Sequence, residues 1–177
     1  MYLAKGAIVS VDLGEWHIIG ESTVDNLEKE LKESIMYFLK KYITKENLGF
    51  IDCTPYDEVF FSKGEELKNR VKRINLSESS LHITLKIKFE EENSIYCLVN
   101  EYDYKGLKFA EKICEAFEKY SYRNKGVKRA EVYNLLYTNN PSIIVEFALK
   151  KEEIDNIEKA SFISRIIVDA IKSLGTK

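Results

Sequence analysis

The sequence predicts an α/β protein: a mainly parallel central sheet of about six strands flanked by helices, in a single domain spanning residues 1–177. Three observations predict it. Apolar runs of strand length alternate with longer amphipathic stretches through nearly the whole chain, the pattern of strands joined by crossover helices. The first run, AIVSVD at 7–12, is apolar at consecutive positions, as in strands covered on both faces. Only 2 prolines occur and no Gly/Ser-rich linker interrupts the chain, so its length suits one core.

Each element follows in order. After the 7–12 strand, residues 24–42 place Val24, Leu27, Leu31, Ile35, Phe38 and Leu39 on one stripe of a helix. LGFIDC, 48–53, reads as the second strand, stopped at Thr54-Pro55. Residues 62–76 form a helix, and 80–89 and 94–102 two strands. The second long helix, 105–122, packs Leu107, Ala110, Ile113, Cys114 and Phe117. AEVYNLLY (130–137) and PSIIVEFAL (141–149) are the last strands, and 160–174 a closing helix.

Composition excludes several function classes. With 27 basic and 29 acidic residues dispersed along the chain, no clustered basic face invites nucleic acid. Cys53, Cys97 and Cys114 are odd in number and widely spaced, which gives neither a disulfide framework nor a zinc knuckle and fits a reducing compartment. The N-terminal apolar run is short, contains Asp12 and lacks a basic leader, so it reads as a strand and the expected location is cytoplasmic. No apolar run approaches the roughly 20 residues of a membrane span. No phosphate-binding glycine loop and no serine nucleophile elbow is present.

In parallel sheets, sites lie beyond the carboxyl ends of strands. Glu15, Cys53, Lys86 and Glu146 are the titratable groups there. Glu146 interrupts an apolar strand, and a buried carboxylate requires a cation, a metal or several donors. It reads either as a general base or as half of a structural ion pair. Lys86 reads either as a site cation or as a solvated position alternating with Thr84 and Lys88. His82 lies about 13 Å back along the strand from Lys86, too far to share a metal with that position. Glu15 and His17 alone fall short of the three protein ligands of a catalytic zinc, and Cys53 could supply the third.

Four segments resemble the zinc-dependent N-acetylmuramoyl-L-alanine amidases, peptidoglycan hydrolases of phage endolysins and bacterial autolysins. They are AIVSVDLGEWH, ELKNRVKRINLSESSLHITLKIKF, DYKGLKFAEKICEAF and NKGVKRAEVYNLLYTNNPSIIVEFALKKEEID. The last is the most specific: a GVK turn, a strand, a proline, and a strand ending in Val-Glu before an acidic helix. The resemblance runs from about Ala7 to Leu174 and is closest in style to clostridial phage endolysin catalytic domains.

The resemblance implies positions for the working parts. The first zinc ligand, a histidine after the turn glycine, falls on Glu15. The second, a glutamate opening the first helix, falls on Ser22, with Glu21 beside it. The third, a histidine near the end of the middle strand, falls on Lys86. The catalytic glutamate falls on Glu146. The expectation is a Glu15–Lys86–Glu146 cluster in which an ammonium stands where zinc would sit, because paired carboxylates without a cation repel. That arrangement implies no zinc and a non-catalytic protein that binds a peptidoglycan fragment or a protein partner. Two alternatives remain open: an active amidase with a metal site drawn from Glu15, Glu21, His17 or Cys53, and a structural scaffold. An endolysin-like origin would add holin-dependent release.

Overall fold

The computed structural model of the chain describes residues 3–14, 26–56, 58–153 and 155–174. Within them run β1 (Ile8–Leu13), α1 (Asn26–Lys45), β2 (Gly49–Asp52), α2 (Lys63–Leu76), β3 (Leu81–Phe89), β4 (Ser94–Val99), α3 (Tyr104–Glu118), β5 (Arg123–Arg129), α4 (Tyr133–Tyr137), β6 (Ser142–Leu149) and α5 (Asn156–Ser173). The strands form one six-stranded sheet in the order β2-β1-β3-β6-β4-β5. All neighbours are parallel except β4 and β6, which matches the mainly parallel sheet expected.

Alternation along the central strands sorts the two faces. Val9, Val11 and Leu13 of β1, Ile83, Leu85 and Ile87 of β3, and Ile143, Val145 and Phe147 of β6 point into the main core. There they meet Leu31, Ile35 and Leu39 of α1, Phe109, Ile113 and Phe117 of α3, and Ile163 and Ile167 of α5. The opposite face carries Ser10, Asp12, His82, Thr84 and Glu146, and α2 covers its lower part. Helix starts are fixed by side-chain caps. Ser62 Oγ accepts from Glu65 N–H at 3.2 Å, Asp103 Oδ1 from Gly106 N–H at 2.7 Å, and Asp155 Oδ1 from Ile157 and Glu158 N–H.

One element differs from expectation. Residues 130–137 are not a strand: the chain leaves the sheet after Arg129, and Tyr133–Tyr137 form a short helix. The strand is Arg123–Arg129, so Gly126-Val127-Lys128 lies inside β5 and not in a turn. The reason is position. β5 is an edge strand paired only with β4, so solvent surrounds it and charged residues are tolerated, which hides the apolar alternation. The apolar residues of YNLLY instead turn Leu135 inward, while Asn75 Nδ2 of α2 donates to Tyr137 O at 3.0 Å.

All three cysteines are buried as thiols. Cys97 and Cys114 approach to 3.7 Å between β4 and α3, and Cys53 Sγ donates to Arg73 O at 3.9 Å. Burial pushes the Cys53 thiol up to about 11, helped by the negative charges of Asp12 and Asp52. A thiol reagent is therefore expected to leave the native protein almost unmodified at neutral pH and to label all three cysteines in denaturant. Rapid native labelling of Cys53 would contradict this packing.

Candidate functional site

Strand register assembles one row of side chains across four strands. Leu13 pairs with Leu85, and Gly14 N–H donates to Leu85 O at 2.8 Å, which sets Gly14 beside Lys86. Lys86 pairs with Glu146, and Tyr96 flanks Glu146 from β4. The approach at Gly14 is close: a Cβ there would stand 3.0 Å from Lys86 Cγ and 3.0 Å from Thr84 Cγ2. A side chain at this position would press on the lysine stem where it lies across the end of β1.

Glu146 is 7% exposed although it faces away from the main core. Its Oε1 lies 2.5 Å from Lys88 Nζ, and the Tyr96 hydroxyl donates to its carboxylate. Burial first, then the bond to Glu146 and its charge, push the Tyr96 phenol up to about 12. Lys128 Nζ sits 5.0 Å from the centre of the Tyr96 ring, within cation–π range. Among the described residues Lys86, Lys88 and Lys128 thus gather around Tyr96 and Glu146, and the charge of Glu90 also reaches the Tyr96 phenol.

One layer below lies a buried polar network. Asp12, Glu66, Arg70 and His82 are each 2% exposed or less. The Arg70 guanidinium bridges the carboxylates of Asp12 and Glu66. Asp12 Oδ2 also accepts from His82 Nε2 at 2.9 Å and from Thr84 Oγ1 at 3.1 Å. His82 Nδ1 meets Ser10 Oγ at 2.8 Å, and Ser10 meets Ser79 at 2.6 Å. Burial opposes ionisation of Asp12, but Arg70, with His82 and Thr84, outweighs it and holds the carboxyl below its ordinary value of 3.8.

The positions read from sequence therefore separate. Lys86 and Glu146 share the row. Glu15, His17, Glu21 and Ser22 lie outside the described residues. Cys53 belongs to the layer below, under α2, as a raised and hydrogen-bonded thiol. His82 is committed to Asp12 and Ser10. Lys88, Tyr96 and Lys128 were not anticipated as site residues. Lys88 shares the Lys86 face, which the alternation already showed, but Tyr96 and Lys128 enter only through the β4–β6 and β4–β5 pairings.

The described part of the row does not fit a zinc ion. Zinc takes three protein ligands with free lone pairs, and a protonated amine has none; Glu146 alone offers one. No group of three His, Cys, Asp or Glu side chains among the described residues is placed to hold a metal.

No protein-family model matches the chain, and no curated protein sequence does. Solved structures match over nearly its whole length. The catalytic domain of the CD27L endolysin targeting Clostridia difficile superposes with a TM-score of 0.80 at 21% identity, covering 94% of this chain and 97% of that one. The chain has the amidase fold. An N-acetylmuramoyl-L-alanine amidase from Clostridium difficile 630 gives 0.75 at 19% identity, over 96% and 97% of the two chains. The CwlD amidase from Clostridioides difficile, solved in complex with the GerS lipoprotein, gives 0.71 at 16%, over 93% and 94%. No helix among the described residues of this amidase-fold chain is long and apolar enough to cross a membrane.

Removing one partner from a buried pair leaves an uncompensated charge. Arg70→Met is expected to lower unfolding free energy by about 3–5 kcal/mol, with the Asp12→Asn, Arg70→Met double variant recovering part of it. Because the folded Asp12 value is lowered, the pair stabilises the protein above about pH 4. That contribution is lost as pH falls through the folded value. Urea unfolding of the variants at pH 7 and pH 3 measures both effects; a loss at pH 7 below about 1 kcal/mol would refute the pair's role.

Proposed function

We propose that this chain is a binding protein built on the amidase fold, whose cleft recognises an acidic cell-wall peptide without hydrolysing it. The observation that carries the reading is the row of Gly14, Lys86, Glu146 and Tyr96, in which Lys86 stands in register with Glu146 and Lys88 pairs with its carboxylate. The resemblance assigns the third zinc-ligand position to Lys86, and an ammonium cannot ligate zinc.

Amide hydrolysis on this fold requires a metal to generate hydroxide near neutral pH and to polarise the carbonyl. Among the described residues, Lys86 and Glu146 support neither step. Lys86, Lys88 and Lys128 instead supply a positive field that draws in carboxylates of a peptide stem. Tyr96 adds an aromatic surface, and its hydroxyl orients Glu146, which then accepts from amide N–H groups of the ligand. A protein partner is the second reading, favoured by the fold neighbour solved with a lipoprotein.

Metal analysis and an amidase assay test this directly. Protein purified without chelator is expected to carry far less than one zinc per chain and to release no peptide from peptidoglycan. N-acetylmuramoyl-L-alanyl-D-isoglutamine is expected to bind, with affinity falling as salt rises and about tenfold on Lys88→Ala. A Glu15→His, Lys86→His double variant is expected to gain zinc. Chelator-sensitive cleavage by the wild-type protein would overturn the reading.

A further inference from the structure

On the side of the sheet away from the cleft, α1 and α5 lie against each other over the main core. An open groove of about 680 Å³ runs between the middle of α1 and the start of α5. Its floor is apolar, made of Phe38 with Tyr37 and Ile157, which are 63% and 69% exposed. We propose that this face binds a second copy of the chain, in a two-fold dimer whose α1 helices run antiparallel. The inference is independent of the function proposed for the cleft, because the two share no residue.

The order of charges along α1 selects that occupant. At 3.6 residues per turn, Glu30, Glu33, Tyr37, Lys40 and Lys41 fall on one side of the helix, and all five are exposed. Acidic residues thus precede the tyrosine and basic residues follow it. The local partners of these charges hold them weakly. Glu33 lies 4.0 Å from Lys29, an exposed pair of the kind worth little, and Lys41 Nζ lies 5.9 Å from the centre of the Phe38 ring.

The neighbouring helix repeats the order. Ile157 of α5 lines the groove beside Ser34, while Arg165, two turns later, donates to the Tyr42 hydroxyl at 3.4 Å. The two helices therefore run in the same direction. Asp155 and Glu158 stand exposed at the start of α5 and Arg165 stands exposed further on.

A two-fold axis at the level of Tyr37 reverses this order in the second copy. The acidic end of each copy then meets the basic end of the other, once on either side of an aromatic centre. A parallel copy would set like charges together. A partner of uniform charge would match one end of the face and be repelled by the other. An aromatic centre within a charged rim is also the usual anatomy of a protein interface.

Sedimentation equilibrium of the full chain is the test. The wild-type protein is expected to form a reversible dimer as its concentration rises through the micromolar range, and to do so less readily at high salt. Tyr37→Ala is expected to weaken the dimer about tenfold. A Glu30→Lys, Glu33→Lys variant and a Lys40→Glu, Lys41→Glu variant are each expected to stay monomeric alone, because each sets like charges together at both ends. Mixed in equal amounts they are expected to pair with one another, since every acidic end again meets a basic one. A wild-type protein that remains monomeric throughout that range would overturn the proposal. So would a dimer that neither charge variant weakens, or a mixture of the two variants that stays monomeric.

Discussion

Asp12 is a carboxylate with no solvent contact in the central part of the sheet, and Arg70 makes it tolerable by reaching it from α2. An isolated charge at that depth would cost many kcal/mol. Arg70 in turn is neutralised by Glu66 one helical turn earlier, so the guanidinium is shared between two elements. This pairing fixes the rotation and height of α2 on the sheet. It also occupies the lower face polar-side inward, where the main-core face is apolar throughout. The upper face, above Thr84, is left uncovered by α2, and the Lys86–Glu146–Tyr96 row stands there.

The strand directions explain why that row has its composition. β3 and β6 run parallel, so Lys86 and Glu146 meet in register midway to their carboxyl ends. β4 runs against β6 and brings Tyr96 to the same level, while β5 follows β4 and lets Lys128 reach the Tyr96 ring. β1 ends one residue below the row, at a glycine whose missing side chain leaves room for the lysine stem. Charge compensation within the row is local. Glu146 has an ammonium partner in Lys88 and a phenol donor in Tyr96.

Much of this was legible in the sequence. The continuous apolar β1 and β6, the stripe of α1 and the Gly14 turn determine the sheet centre and its carboxyl-end opening, and Lys86 and Glu146 stood out as charges within apolar strands. What was hidden depended on partners distant in sequence. Asp12 looked like the end of an apolar run, and only the folded pairing over 58 residues shows its cation to be Arg70. Tyr96 reads as an ordinary strand aromatic until β4 is known to run antiparallel beside β6. β5 was missed because an edge strand needs no apolar face, so RNKGVKR carries no alternation to detect. The neighbouring YNLLY run carried apolar residues and no strand.

A single polar chain connects the two ends of the sheet. Asn140 Nδ2 donates to Ser79 Oγ at 3.3 Å, and Ser79 meets Ser10, which meets His82; His82 and Thr84 converge on Asp12. Thr84 Cγ2 and Lys86 Cγ then border the same space at Gly14. Buried hydrogen bonds of this kind hold their members in one geometry, since each broken link leaves an unmet polar atom in a low-dielectric interior. The start of β6 and the layer beneath the upper cleft are therefore joined by one run of buried hydrogen bonds. Side chains at the rim can change while these buried bonds keep the strands in register. That separation of a fixed polar interior from a variable rim is how one fold can host different chemistries.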